Sequence, residues 1–161
     1  MPPVDFFQQI NGYQSEWKAD MDVLSEAYHC WKQGSYQTRV AFRIAVQSGW
    51  PEDRPICVAG FSQFADLIAR YSWSDNEIFY LGSIRGTDGR SLFDEGFLNY
   101  LQRFRFSCTI DAVGAGTVVS AGMPVVKMEG PRIQVLLTAP ILIRMLNKHS
   151  SEKDWIETDN R

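Results

Sequence analysis

The sequence is poor in the residues that most often carry chemistry. Its 161 residues hold two histidines and three cysteines. Cys30, Cys57 and Cys108 lie far apart in unrelated settings. An odd, widely spaced set argues against a disulfide framework, fits a reducing compartment, and gives no metal-ligand spacing. His29 and His149 have no carboxylate partner at metal-binding spacing, so both read as ordinary histidines. An excess of one charge is also missing. The formal net charge is -3, and the scattered Lys and Arg make no basic groove for nucleic acid. No apolar run reaches the roughly 18 residues of a membrane span. The opening Met-Pro-Pro-Val-Asp lacks the layout of a signal peptide. The expectation is a soluble, cytoplasmic protein with neither membrane nor nucleic acid as a partner.

What the chain does have is apolar surface. Aromatics make up 13% of it, which argues for a packed globule and against disorder. At this length one domain buries about two-thirds of its unfolded surface. The organising stretch is Asp111 to Asn147. Short apolar runs (Thr117 to Val119, Val125 to Met128) alternate there with Gly114, Gly116, Gly122-Met-Pro124 and Gly130-Pro131, the punctuation of short strands and tight turns. After Pro131 the pattern turns helical, with Ile133, Leu136, Leu137, Ile141, Leu142 and Met145 in step. Pro140 is expected to start a new helix or kink this one. The helix carries more apolar surface than it can leave bare, so something must cover it.

Upstream, residues 1–15 read as a loose arm. Trp17, Met21, Leu24, Ala27, Tyr28 and Trp31 step by three and four, which predicts an amphipathic helix from Glu16 to Gln33 stopped by Gly34. Val40 to Val46 alternates as a strand with one buried face, and Ile56 to Ala59 reads as a second short strand. A helix opens at Gly60 and carries Phe64, Leu67, Ile68 and Tyr71. Ser74-Asp-Asn-Glu77 is a capping box, and Ser91-Leu-Phe-Asp94 resembles another. Gly86 to Gly89 is a turn, and Phe106 to Ile110 returns to extended structure. From Lys148 the chain reads as a charged tail, 148–161. The domain is therefore 16–147, of mixed α+β class.

Residue chemistry alone gives no catalytic set and no metal site. Cys108 sits among Phe104, Phe106 and Ile110 and reads as buried and inert. Gly114-Ala-Gly116 lacks the ending of a phosphate-binding loop and reads as a β-turn. Ser62 lacks the second Gly of a nucleophile elbow, and helix capping explains it. Asp20 and Asp22 stand at a helix start, where the dipole favours negative charge. Two residues apart, they point apart and form no shared-proton pair.

Taken together, the motifs resemble the N-terminal part of nicotinate phosphoribosyltransferase, from Lys18 to about Asn147. Asp20 through Gly34 resembles the family's opening helix, which starts Thr-Asp-Leu-Tyr and ends in an aromatic, a basic residue and Gly. Val40-Ala-Phe42 is similar to its first strand, and Val58-Ala-Gly60 to its strand-to-helix step. Phe97-Leu-Asn-Tyr-Leu-Gln-Arg-Phe-Arg-Phe106 resembles Phe-Leu-x-Tyr-Leu-x-x-Phe-x-Phe. Gly116-Thr-Val-Val, Gly122-Met-Pro124, Met128-Glu-Gly-Pro131 and Leu136-Leu137 are similar to its turn-rich β unit and following helix.

The resemblance implies an N-terminal α/β domain of the nicotinate/quinolinate phosphoribosyltransferase type: a small twisted sheet packed by helices, without the catalytic barrel. The family makes nicotinate mononucleotide from nicotinate and phosphoribosyl pyrophosphate, using ATP and magnesium, on the salvage route to NAD. It implies head-to-tail dimers in which the opening helix of one subunit reaches the barrel of the other. By this resemblance Asp20 and Asp22 border the pyridine substrate. Asp20 matches the family's Asp, but Asp22 stands where a ring-stacking Tyr belongs. A carboxylate offers no aromatic face and repels the carboxylate of nicotinate.

Other departures fall at Gln47 to Trp50, where a basic residue is expected, at Gly114-Ala-Gly116 for Pro-Glu-Gly, and at Thr138-Ala139 for Glu-Thr. A chain stopping at Arg161 has no barrel to hold pyrophosphate or metal, and is expected to be inactive alone. It would then work as a homo-oligomer or with a barrel-bearing partner chain. Two other readings remain open at this point: a non-catalytic interaction or regulatory module derived from the family, and an unrelated small-ligand-binding α+β domain.

Overall fold

The computed structural model describes residues 20–45, 55–120 and 122–150. Helix α1 (Met21–Lys32) buries Leu24, Ala27 and Cys30 on one side and ends where Gly34 takes φ +73°. Strand β1 (Arg39–Ala45) follows, its residues alternating between exposed and half-buried. Then come β2 (Ile56–Cys57), α2 (Phe61–Ala69), α3 (Asp75–Ser83), α4 (Glu95–Gln102), β3 (Thr109–Ala112), β4 (Val118–Val119), β5 (Pro124–Pro131) and α5 (Arg132–His149). The expected arm at 1–15, the start of the first helix at 16–19, and Val46 lie outside the described residues.

Local chemistry sets the helix starts, in two places not where the pattern predicts. The Ser74–Glu77 capping box forms: Glu77 Oε2 accepts from the Ser74 amide at 2.7 Å, and Ser74 Oγ accepts from the Glu77 amide at 3.4 Å. At α4 the cap is Asp94, not Ser91; Asp94 Oδ1 accepts from the Phe97 amide at 2.8 Å. Ser62 does not cap α2. That helix starts at Gly60, with φ +108° and no side-chain cap, because the backbone there must pass close to α5.

The main sheet is antiparallel in the order β1-β5-β3, and β2 pairs with β4 in a second, two-stranded sheet. β2 is shorter than the expected Ile56 to Ala59, although Val58 still donates to Thr117 O at 2.9 Å. The registers place Phe42, Met128 and Ile110 in one row, and Arg43, Lys127 and Asp111 in the next. Partners share a face and successive rows alternate, so the first row faces the helices and the second faces outward. No closed barrel forms among the described elements.

Helix α5 packs against α1, α2, β1 and β5. Ile133, Leu137, Ile141 and Leu142 are completely buried. The apolar helix that the sequence leaves in need of a cover therefore finds that cover within the chain: it is the core of the domain. It also runs unbroken through Pro140 instead of starting anew there. Its first amides, which have no helical partner, are satisfied from outside the helix. Arg132 N donates to Thr38 O at 2.8 Å and Ile133 N to Tyr36 O at 3.2 Å. The helix extends past the expected boundary at Asn147 through His149. Ser150 Oγ then accepts from Ala59 N at 2.9 Å and donates to Ala59 O at 3.0 Å, so packed structure reaches at least Ser150.

Candidate functional site

Asp20 and Asp22 stand at the N-terminus of α1, both exposed. Asp20 is the N-cap, its Oδ1 accepting from the Val23 amide at 2.9 Å, and Asp22 lies in the first turn. The rest of α1 fixes where they stand. Tyr28 packs on Phe93 and Phe97, with ring centres 5.4 Å and 5.2 Å away. Lys32 Nζ donates to Asp94 Oδ2 at 3.3 Å. Asp94 thus caps α4 with one oxygen and anchors α1 with the other. Of the other departures, Thr138 is fully buried, its hydroxyl donating to Gln134 O at 2.7 Å. Gly114 to Thr117 forms the expected β-turn, with Thr117 N donating to Gly114 O at 3.1 Å and Gly116 at φ +83°. The segment 47–50 lies outside the described residues.

The outward sheet face carries groups that the sequence reading does not single out. Lys127 Nζ lies 3.1 Å from Glu129 Oε2, and Arg39 lies 3.8 Å from Glu129 Oε1. The hydrogen bond and charge of Lys127 hold the Glu129 carboxyl below its ordinary range. At the end of this face is an open depression of about 340 Å³, lined by Arg43, Asp111, Ala112, Val113, Pro124, Val125, Val126 and Lys127. Asp20 and Asp22 do not line it. Alternation along β1 already puts Arg39 and Arg43 on one face; their neighbours depend on a register between distant strands.

Cys108 is half-buried, not fully buried as expected, with its sulfur 3.7 Å from Gln134 Oε1. Burial pushes its thiol from 9.0 up to about 11. A raised value favours the neutral thiol in the fold, so this contribution to stability is complete below the unfolded value and is lost as pH rises through about 11. At pH 8 Cys108 should hold about a hundredfold less thiolate than an unperturbed thiol. Mass-resolved iodoacetamide labelling should therefore show it alkylated much more slowly than a cysteine in a short peptide. Labelling at the peptide rate would contradict this.

Comparison with known proteins bears on what this arrangement belongs to. The family model of the nicotinate phosphoribosyltransferase (NAPRTase) N-terminal domain matches residues 18–147. The chain belongs to this family. A nicotinate phosphoribosyltransferase of Dictyostelium discoideum is 21% identical over 144 residues, covering 89% of this chain and 24% of that protein. The crystal structure of human nicotinic acid phosphoribosyltransferase superposes with a TM-score of 0.71 at 19% identity, over 80% of this chain and 25% of that one. The chain thus spans about a quarter of the length of these relatives. The superposition shows that the NAPRTase N-terminal fold is present here.

Among the described residues no group of three or more His, Cys, Asp or Glu is placed to hold a metal ion. No helix among them is long and apolar enough to cross a membrane.

Proposed function

We propose that this chain supplies the N-terminal domain of a cytoplasmic nicotinate phosphoribosyltransferase acting in NAD salvage, and that these residues are inactive without the family's barrel. The family match over residues 18–147 carries this reading. The residues themselves support the division of labour. Departure of pyrophosphate from a phosphoribosyl group needs cationic or metal stabilisation. The described residues gather no acid cluster for a metal. In this reading α1 presents Asp20 and Asp22 to the pyridine end of a site whose phosphate-binding half lies in the family's barrel.

The test is formation of nicotinate mononucleotide from nicotinate, phosphoribosyl pyrophosphate, ATP and magnesium. The chain alone should give none, and the chain mixed with a barrel-bearing family member should give product above that member's own rate. Product from the chain alone would overturn the claim of dependence. No product gain in any combination would favour the second reading, a family-derived interaction module. Asp22 supports that alternative, because it puts a negative charge where the family resemblance expects a ring-stacking Tyr.

A further inference from the structure

We infer that the free edge of β1 is a pairing surface for a second copy of this chain, the two β1 strands running antiparallel about a twofold axis at Phe42. In the order β1-β5-β3 each outer strand leaves one edge unpaired among the described residues. The two edges differ. β3 is four residues long and carries Asp111, and short, charged edges resist further pairing. β1 runs for seven residues without Pro or Gly. Its inward residues are only half covered. Val126, Met128 and Gly130 of β5 are buried, whereas their partners Ile44, Phe42 and Val40 are half-buried. The helix layer covers the middle strand and thins out over β1, which leaves an apolar stripe beside unpaired backbone donors and acceptors.

The strand's own sequence selects the occupant and the register. Opposite residues in an antiparallel pair share a face, so an inward residue must meet an inward one. With Phe42 opposite Phe42, Val40 meets Ile44, while Arg39 and Arg43 meet Ala45 and Ala41. Moving the axis to Ala41 sets Arg39 opposite Arg43, and moving it to Arg43 sets that residue against its own copy. Like charges directly opposite each other are destabilising. The axis at Phe42 pairs the whole strand and avoids both clashes. Charge on an edge strand normally blunts pairing. Here both arginines face outward, and each meets an alanine over which its aliphatic stem can lie. A strand of an unrelated protein would find the same backbone edge, but the match of Arg to Ala on both sides of the axis is a property of this strand with itself. The contact is independent of the phosphoribosyl reaction proposed above.

The experiment joins disulfide trapping to sedimentation equilibrium, both on the full chain. Under oxidised glutathione, Phe42→Cys should link to its own copy, read by the mass of the joined peptides. Val40→Cys mixed with Ile44→Cys should form the mixed link at least about tenfold faster than Val40→Cys links to itself. Opposite Cα atoms lie about 4.5–5.5 Å apart, within disulfide range, whereas the two copies of Val40 stand roughly 14 Å apart along the strands. The unmodified chain should dimerise with a Kd of about 1 mM or tighter. Ala41→Arg sets a cation opposite Arg43 on both sides of the axis and should weaken association at least about threefold, while Ala41→Asp should strengthen it. Within one chain the signs reverse, because the β5 partner of Ala41 is Glu129. Loss of the dimer in Ala41→Arg therefore cannot come from loss of the fold. A monomer at about 1 mM, no link in a folded Phe42→Cys chain, self-linking of Val40→Cys at the Phe42→Cys rate, or equal association of the two Ala41 variants would each overturn the assignment. Turnover enters none of these readings, so they stand or fall separately from the mononucleotide assay.

Discussion

Gly60→Ala should destabilise the domain by about 3–5 kcal/mol, the result of two costs that fall on one methyl group. The first is conformational. Gly60 has φ +108°, a backbone state that residues with a Cβ rarely adopt. The second is steric. A Cβ at Gly60 would sit 2.5 Å from the carbonyl oxygen of Met145 and 2.9 Å from its carbon. Both are backbone atoms of α5 and cannot swing aside as a side-chain tip could. At about 2–4 °C per kcal/mol for a chain of this size, the melting midpoint should fall by on the order of 10 °C. Gly116→Ala is the matched control. Its φ is +83°, but nothing lies within 4 Å of the added Cβ, so it should cost only about 1 kcal/mol. Equal melting midpoints for the two variants would mean that α2 does not approach α5 as closely as described.

Leu137→Ala should be comparably damaging, costing about 2–5 kcal/mol. Leu137 is completely buried, on the same helix as Thr138, whose hydroxyl lies 3.5 Å from the Met128 sulfur of β5. Truncation removes the transfer free energy of the lost methyl groups and leaves a cavity that a helix held by the sheet and two other helices cannot close. Urea unfolding of the isolated chain measures the loss directly. Asn147→Ala, an exposed position on the same helix, should stay within about 0.5 kcal/mol of the parent. A small effect at Leu137 would mean that α5 is packed loosely and awaits a cover from another chain.

Features that depend on neighbours a few residues apart were legible in the sequence. Gly34 ends α1, the Ser74–Glu77 box starts α3, and Gly114 to Thr117 turns, because each is decided by local hydrogen bonds and φ. The α+β class follows from the two apolar periods. Near-local competition was harder to read: Ser91 and Asp94 both suit a cap, and only the Phe97 amide, 2.8 Å from Asp94 Oδ1, decides between them. Long-range packing was not legible. The pattern of α5 shows that it must be covered, yet not that α1, α2 and the sheet do the covering. The candidate site divides the same way. Asp20 and Asp22 are visible as helix-start acids, whereas the row of Arg43, Lys127 and Asp111 exists only once three distant strands take their register.

If α5 is core and not a surface awaiting a cover from another chain, the domain folds without a partner. Native-state hydrogen exchange on the isolated chain tests this most directly. The amides of Leu137, Ile141 and Leu142 should exchange only through global unfolding, with the same free energy as urea denaturation reports. Exchange of these amides within minutes, slowed only when a barrel-bearing chain is added, would contradict it.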